Sequence, residues 1–495
     1  VVITNLDSFT IQPYRRKYLL SYGKRMSTDV DSELWDDNVA SVLEEQGFSI
    51  RNNPRSVYSV EKLYAALAKY APDQSPTVDL RDEHVKSGIR MAYAAFAKPK
   101  DEPPLPHLDF TTKMIWDITS NRKGSAGLTA WGQTKAESLV RAYERGRQVL
   151  VGEKAPEPCV AFKRTQFDGK TRLVWGFPYS MTAIEGIFAR PLIKRFLNSF
   201  NPMAFGKSTG YLGTKLRVAA YNNKYAYSTD VSSFDASISA VMIRVAFDIL
   251  KTWFDTSKPI VTESGDVIDV NTAWNKVVTY FITTPIVMPD LNLYKGKRHG
   301  VPSGSYFTQI VDSIVNTIIV GTISSKFQMH IDSEYLSVLG DDVLFWSNRK
   351  IRLEDIAAYA SRVFNATFNA KKSAIFHSGD VIHYLGRDWD HGIPDLPEDE
   401  ILIRMTQPEK FRKYSKVPNE RERQVKLLLA SYASVYRSAF RIFFHSVYNH
   451  RNGPNSLYEW RTYRDTGRTP WVDENMSGLQ RYLQKYVHPD VKKTP

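Results

Sequence analysis

Three observations predict an α+β fold. Two apolar runs, 335–338 and 343–346, are rich in β-branched and aromatic residues and flank Leu339-Gly340-Asp341-Asp342, so they read as strand, turn, strand. An alternating run from Tyr225 leads to Asp230 and passes into a helix near Asp235, and strands and helices then mix as far as Asp390. From Gln407 the pattern turns helical, with 425–448 strongly apolar and punctuated by Arg.

Taken in order, residues 1 to 70 mix charge with short amphipathic helices such as 57–70. A Pro-rich break follows at 101–106. A helix is predicted over 130–150 and a strand-rich basic stretch over 160–178. The longest apolar run, 310–323, is interrupted by Asp312 and Asn316. It is too short to cross a bilayer and predicts a buried helix, so no membrane partner is expected. No internal repeat stands out, and 495 residues suggest about three domain-sized units, here three regions with the chemistry in the middle one.

The balance is basic, with 66 Lys and Arg against 53 Asp and Glu. The excess is uneven: residues 401–495 carry 18 basic and 8 acidic side chains, +10 of the +13 total. A basic unit studded with Tyr, Trp and Phe suits a polyanion whose bases stack on rings. Its bland counterpart is a solvated basic helical surface. The single cysteine, Cys159, excludes an internal disulfide and a thiolate metal cluster. The histidines, His445 and His450 included, show no zinc spacing. No signal peptide opens the chain, the missing initial Met reads as trimming, and a reducing compartment is expected.

Gly340 permits a tight turn that sets Asp341 and Asp342 side by side at a strand tip. Adjacent acids there repel and invite a divalent cation. Gly-Asp-Asp alone is a weak signal, since composition produces it in roughly one such chain in ten. Its partners strengthen it. Asp230 ends a strand, and Asp235 follows where a helix begins, with Ser232 or Ser233 as its cap. Asp230 and Asp341 on neighbouring strands would hold two Mg²⁺ about 4 Å apart, with Mn²⁺ as a substitute. A strand-end and helix-cap pair is the plain alternative for Asp230 and Asp235. A loop of small residues, 300–305, then enters a helix carrying Thr308 and Asp312. Small residues admit a nucleic-acid backbone, and the hydroxyls and Asp312 can bond sugar hydroxyls; a plain capped helix is the alternative.

The order Asp-x4-Asp, Ser-Gly-x3-Thr, Gly-Asp-Asp resembles the palm of viral RNA-dependent RNA polymerases, most nearly those of small double-stranded RNA viruses of picobirnavirus and partitivirus type. The resemblance covers about 125–387. It implies that Asp230 and Asp341 are the main metal ligands, with the Val231 carbonyl and Asp342 in support. It assigns Asp235, Ser303, Thr308 and Asp312 to ribose recognition, and Lys163, Arg164, Lys170 and Arg172 to the triphosphate. Ser125, Ala126 and Gly127, with Gly304, would contact template. Lys372, or its neighbour Lys371, would protonate pyrophosphate. Tyr384-Leu385-Gly386-Arg387 resembles the turn that grips the primer. Two positions depart from related positive-strand enzymes: Asp312 stands where they carry Asn, and Gly386 where they carry a basic residue.

The same resemblance implies a closed right hand. Residues 1–70 would bridge fingers and thumb, 71–224 and 255–295 form fingers, 225–254 and 296–395 palm, and 396–495 thumb and tail. The palm would be an antiparallel sheet backed by helices. Expected partners are RNA template and product, ribonucleoside triphosphates and a viral capsid protein, with the enzyme monomeric, inside a particle in host cytoplasm. A tail with Trp460, Trp471 and Tyr482 would support initiation without a primer. A reverse transcriptase, or a catalytically silent RNA-binding or capsid-associated protein on the same fold, are the alternatives. Asp235 and Gly340 argue against the first, and the full set Asp230, Asp341, Asp342 and Arg172 against the second.

Overall fold

The computed structural model describes residues 5–30, 34–51, 58–165, 169–408, 412–433, 436–439 and 442. Strand β1 (Thr10–Pro13) is followed by helices α1 (Leu20–Met26), α2 (Asp37–Glu45), α3 (Val60–Ala68), α4 (Glu83–Phe96), α5 (Thr112–Ile118) and α6 (Leu139–Leu150). The hairpin β2 (Cys159–Thr165) and β3 (Thr171–Gly176) leads into α7 (Tyr179–Leu197) and α8 (Thr209–Asn222). Next come β4 (Tyr225–Ser228), the short α9 (Phe234–Ser237) and α10 (Ala240–Lys251). The ribbon β5 (Ile260–Val261) and β6 (Val267–Ile268), α11 (Val270–Thr283), β7 (Ile286–Val287) and β8 (Asn292–Lys295) precede the long α12 (Thr308–Phe327). Strands β9 (Leu336–Leu339) and β10 (Asp342–Ser347), helix α13 (Leu353–Phe364), strands β11 (Ala374–His377), β12 (Ile382–Tyr384), β13 (Arg387–Asp390) and β14 (Ile393–Asp395), and helices α14 (Glu398–Thr406) and α15 (Pro418–Ala433) follow.

A four-stranded antiparallel sheet, β11-β4-β10-β9, carries the acidic residues at one end. Tyr227 on β4 and Phe345 on β10 are paired in register, and their rings stack at 5.2 Å. A second sheet, β1-β8-β7-β2-β3, carries the basic hairpin. Helix α12 is buried along 310–323, as that run predicted, with Asp312 and Asn316 among its buried side chains. By length and composition it could cross a bilayer, but it lies in the core. It presses on α4 where a Cβ on Gly88 would sit 2.2 Å from the Ile318 carbonyl oxygen, so only glycine allows this crossing.

The N-terminal segment packs against parts of the chain far apart in sequence. β1 pairs with β8, the Tyr22 hydroxyl bonds the Ala161 carbonyl, and the Tyr70 hydroxyl donates to the Val301 carbonyl at 3.0 Å. Val39 and Leu43 of α2 pack in a separate core with Leu402, Met405, Leu428 and Leu429 of α14 and α15.

Two expectations need correction. The helix predicted from residue 130 begins at Leu139. Gly132 sits at φ +83°, and the Thr134 amide and hydroxyl both donate to Glu137, a local closure that competes with helix. Of the apolar C-terminal run the structure describes α15 and residues 436–439 and 442; the remainder of 425–448, His445, His450 and the tail aromatics lie outside the described residues.

Candidate active site

The β9–β10 turn is as tight as the glycine predicted: Leu339 pairs with Asp342, and Gly340 adopts φ +61°. Its carbonyl accepts a 2.7 Å hydrogen bond from Asn316 of α12, which is buried. The Gln309 side chain lies 3.1 Å from where a Cβ on Gly340 would stand. Asp341 and Asp342 are left at the surface.

Asp230 lies just beyond β4, on the central strand beside β10. Its amide donates to Ser373 Oγ at 3.0 Å and its carbonyl accepts from the Asn369 amide at 2.9 Å. Val231 bridges to Phe368, and the Ser232 amide donates to the Thr367 carbonyl. Residues 367–373 therefore cradle the Asp230 loop. Lys371 and Lys372 are exposed on that same turn. Ser233 stands at the N-cap of α9 but does not cap it, correcting the expectation; at φ +50° its hydroxyl instead accepts from Lys69 Nζ at 2.7 Å.

The acids feel one another. Asp342 opens to solvent on one side, yet its carboxyl is pushed up to about 6, first by desolvation and then by Asp341. Asp230 raises it further, while His383 and Arg172 oppose. Asp235 is likewise pushed up to about 6, by burial first and also by Asp341, and Arg172 opposes. Asp312 is buried and held well above the carboxylate range, by burial and then by Asp235. The pair shares a side-chain hydrogen bond, so the proton stays on Asp312 and Asp235 accepts it. Asp312 Oδ1 has no partner among the described residues. The Asp235 carbonyl also accepts the Val301 amide at 2.8 Å, tying this pair to the loop before α12.

The basic hairpin supplies the opposite charge. Arg164 on β2 and Arg172 on β3 are directly opposite in register, and both are exposed. Like charges so placed destabilise a sheet unless an anion joins them. Arg172 is also close enough to Asp235 and Asp342 to lower both. Lys170 is exposed at the β2–β3 turn.

Several expected contacts take another form. Lys163 is on the opposite face of β2 from Arg164, with its ammonium 3.9 Å from the Tyr58 ring centre, because strand neighbours alternate faces. The Thr308 hydroxyl donates to the Pro302 carbonyl at 2.7 Å and closes the loop, so it is not turned towards a sugar. Gly304 is needed by the protein itself: a Cβ there would lie 1.8 Å from the Trp175 carbonyl oxygen. Ser303 Oγ accepts the Trp175 amide at 3.2 Å while remaining exposed. Ala126 and Gly127 are buried, and a Cβ on Gly127 would meet the Phe177 carbonyl at 2.8 Å; only Ser125 reaches the surface. Tyr384 is buried, its hydroxyl 2.9 Å from Ser337 Oγ, so it anchors the hairpin to β9. Leu385 and Gly386, both at positive φ, form the turn that leads to Arg387. Asn316, Ser373 and Glu185 are the polar residues that sequence reasoning missed.

The donor set fits a divalent cation. Asp341 and Asp230 both raise the Asp342 carboxyl, and carboxylate oxygens are hard ligands. Among the described residues no three acidic, imidazole or thiol groups are gathered closely enough to hold a metal ion by themselves.

A family model described as viral RNA-dependent RNA polymerase matches residues 166–449. The chain is 33% identical over 171 residues to an RNA-directed RNA polymerase of Cryptosporidium parvum virus 1 (strain KSU-1), covering 32% of this chain and 30% of that protein. It is 28% identical over 140 residues to the RNA-directed RNA polymerase of White clover cryptic virus 1, covering 26% of this chain and 22% of that one. The matches thus span less than a third of these relatives' length. In fold, the chain is similar to the crystal structure of an insertion-loop deletion mutant of a human picobirnavirus RNA-dependent RNA polymerase, with TM-score 0.69, 13% identity, and 98% and 99% of the two chains covered. The right-hand architecture expected from the motifs is the architecture observed.

Proposed function

This chain belongs to the viral RNA-dependent RNA polymerase family, and from that premise we propose that it joins ribonucleotides on an RNA template, replicating and transcribing a double-stranded RNA genome. The observation that carries this reading is that Asp342, at the tip of one strand, feels Asp341 beside it, Asp230 beyond the adjacent strand and the field of Arg172. Phosphoryl transfer needs positioning and charge neutralisation more than covalent help.

Asp230 and Asp341 would hold Mg²⁺ or Mn²⁺, with Asp342 and the Val231 carbonyl in support. Bound there, the ions activate the attacking hydroxyl and neutralise the leaving pyrophosphate. Arg172, with Arg164 opposite and Lys170 at the turn, grips the triphosphate through paired donors. Asp235 and exposed Ser303 read the ribose 2′-hydroxyl, which separates RNA precursors from DNA precursors. Asp312 keeps Asp235 ionised and oriented by donating its own proton. Lys372 gives a proton to the pyrophosphate oxygen as the bond breaks. Arg387 contacts the primer or product strand, and Ser125 the template.

The finger, palm and thumb boundaries set out above, initiation without a primer, a capsid partner and action inside a particle in the cytoplasm belong to the same proposal. Its test is incorporation of labelled ribonucleotides on single-stranded RNA with Mg²⁺ and no primer. Wild type is expected to give template-length product and Asp341→Ala none. No product from wild type, even with a primer and Mn²⁺, would overturn it.

A further inference from the structure

Helix α7 places one carboxyl, that of Glu185, inside the core, 2% exposed. It reaches the loop between Gly300 and α12 and nothing in the chemistry above uses it. The Ser305 hydroxyl bonds one carboxyl oxygen, and the Tyr306 amide donates to the other at 3.4 Å. Ser305 Oγ in turn accepts the Phe307 amide at 3.0 Å. One buried carboxyl therefore orders three successive residues of the loop. The loop's other tether is Ser303 on the Trp175 amide, and Gly304 lies between the two against the Trp175 carbonyl.

We propose that Glu185 is a positioning residue for nucleotide selection: from the core it fixes Ser305 and Tyr306, and so holds Ser303 at the height where it meets the ribose. This rests on the polymerase reading for what Ser303 touches. The clamp itself does not.

The surroundings make the clamp sensitive to pH. The titratable groups facing Glu185 are Cys159 on β2, Tyr280 on α11 and Tyr306 on the loop, and each is raised in part by its charge. Among the described residues no cation offsets it. The buried Lys297 amino group, which burial pushes well below the ordinary lysine range, donates instead to the Phe281 and Ile282 carbonyls at 2.8 and 2.9 Å. Burial pushes the Glu185 carboxyl up to about 8, so it is neutral at pH 7 and ionises just above. A carboxylate with no cation beside it draws in water, and the loop loosens.

Two measurements on the full chain test this. The first is hydrogen exchange of the 303–307 amides, which needs no activity. Exchange in wild type is expected to rise several-fold between pH 7 and 9, after correction for the intrinsic rate. Glu185→Gln, which keeps a donor and an acceptor, should stay protected across that range, and Glu185→Ala should be unprotected throughout. The second is the KM for ribonucleotides and the preference over 2′-deoxynucleotides. Wild type is expected to lose about ten-fold in preference above pH 8, Glu185→Gln to lose none, and Glu185→Ala to show the loss already at pH 7 with kcat less affected. Unchanged exchange in Glu185→Ala, or a Glu185→Gln profile that follows wild type, would overturn the proposal. Altered exchange in a protein that incorporates no nucleotide would leave the clamp standing and refute the polymerase reading instead.

Discussion

At the scale of single residues, the site stores electrostatic strain that a bound cation would relieve. The Asp342 carboxyl sits at about 6 in the folded chain against an ordinary 3.8, and Asp235 is raised similarly. A folded acid that holds its proton more tightly than the unfolded chain stabilises the fold below the ordinary value. That contribution disappears as pH rises through the folded value. The metal-free protein is therefore expected to lose melting temperature between about pH 4 and 6, and Mg²⁺ to raise it more at pH 7 than at pH 5. Thermal melts at the two pH values, with and without Mg²⁺, check this. Asp341→Ala removes one of the repelling charges, so its metal-free melting temperature at pH 7 should equal or exceed that of wild type. A clear drop would sink the argument. The acids of this site were legible because their spacing and strand-tip setting are local. Asn316, Ser373 and Glu185 were not. Their partners are Gly340, Asp230 and Ser305, which lie 24, 143 and 120 residues away, and a polar side chain in a helix or turn does not announce which distant backbone it will meet.

At the scale of elements, α12 is the rail against which the Gly340 turn is set. Asn316 holds the Gly340 carbonyl, and Asp312, one helical turn earlier, holds Asp235. Replacing Asn316 by Leu leaves that carbonyl buried and unpaired, at a cost of about 1–3 kcal/mol. The turn then drifts, so kcat should fall at least ten-fold with the nucleotide KM little changed, as steady-state kinetics on a primed template would show. An unchanged kcat would mean the turn holds its place without the helix. Gly304→Ala is a harsher change, because the added carbon must displace the Trp175 carbonyl or the loop; loss of ribose discrimination is the expected result, read by competing ribo- and deoxynucleotides. The strands of this region were legible from their alternation. The start of α6 was not, because a single glycine and a Thr–Glu bond outweighed helical periodicity over 130–138. The same competition explains why Thr308 and Tyr384 were read as contacts: their chemistry suits a ligand, but neighbouring strands and loops took up their hydroxyls.

At the scale of the whole molecule, one buried cluster ties the N-terminal segment to α14 and α15, far along the chain. Asp36 accepts hydrogen bonds from Arg412 at 2.9 Å and from the Tyr414 hydroxyl at 2.6 Å. Its amide donates to the Thr406 carbonyl, and its carboxylate also caps α2 at Val39. The Asp36 and Arg412 side chains are only 4% and 8% exposed. Composition gave no hint of this, since 376 residues separate the two. Removing one member of a buried ion pair leaves the other charge uncompensated and costs about 3–5 kcal/mol, whereas replacing both by apolar groups is often neutral. Asp36→Ala should therefore melt the region of α2, α14 and α15 early, as a separate transition. Asp36→Leu combined with Arg412→Met should restore much of the loss. If the two regions moved independently, Asp36→Ala would shift the melt no more than an ordinary surface change.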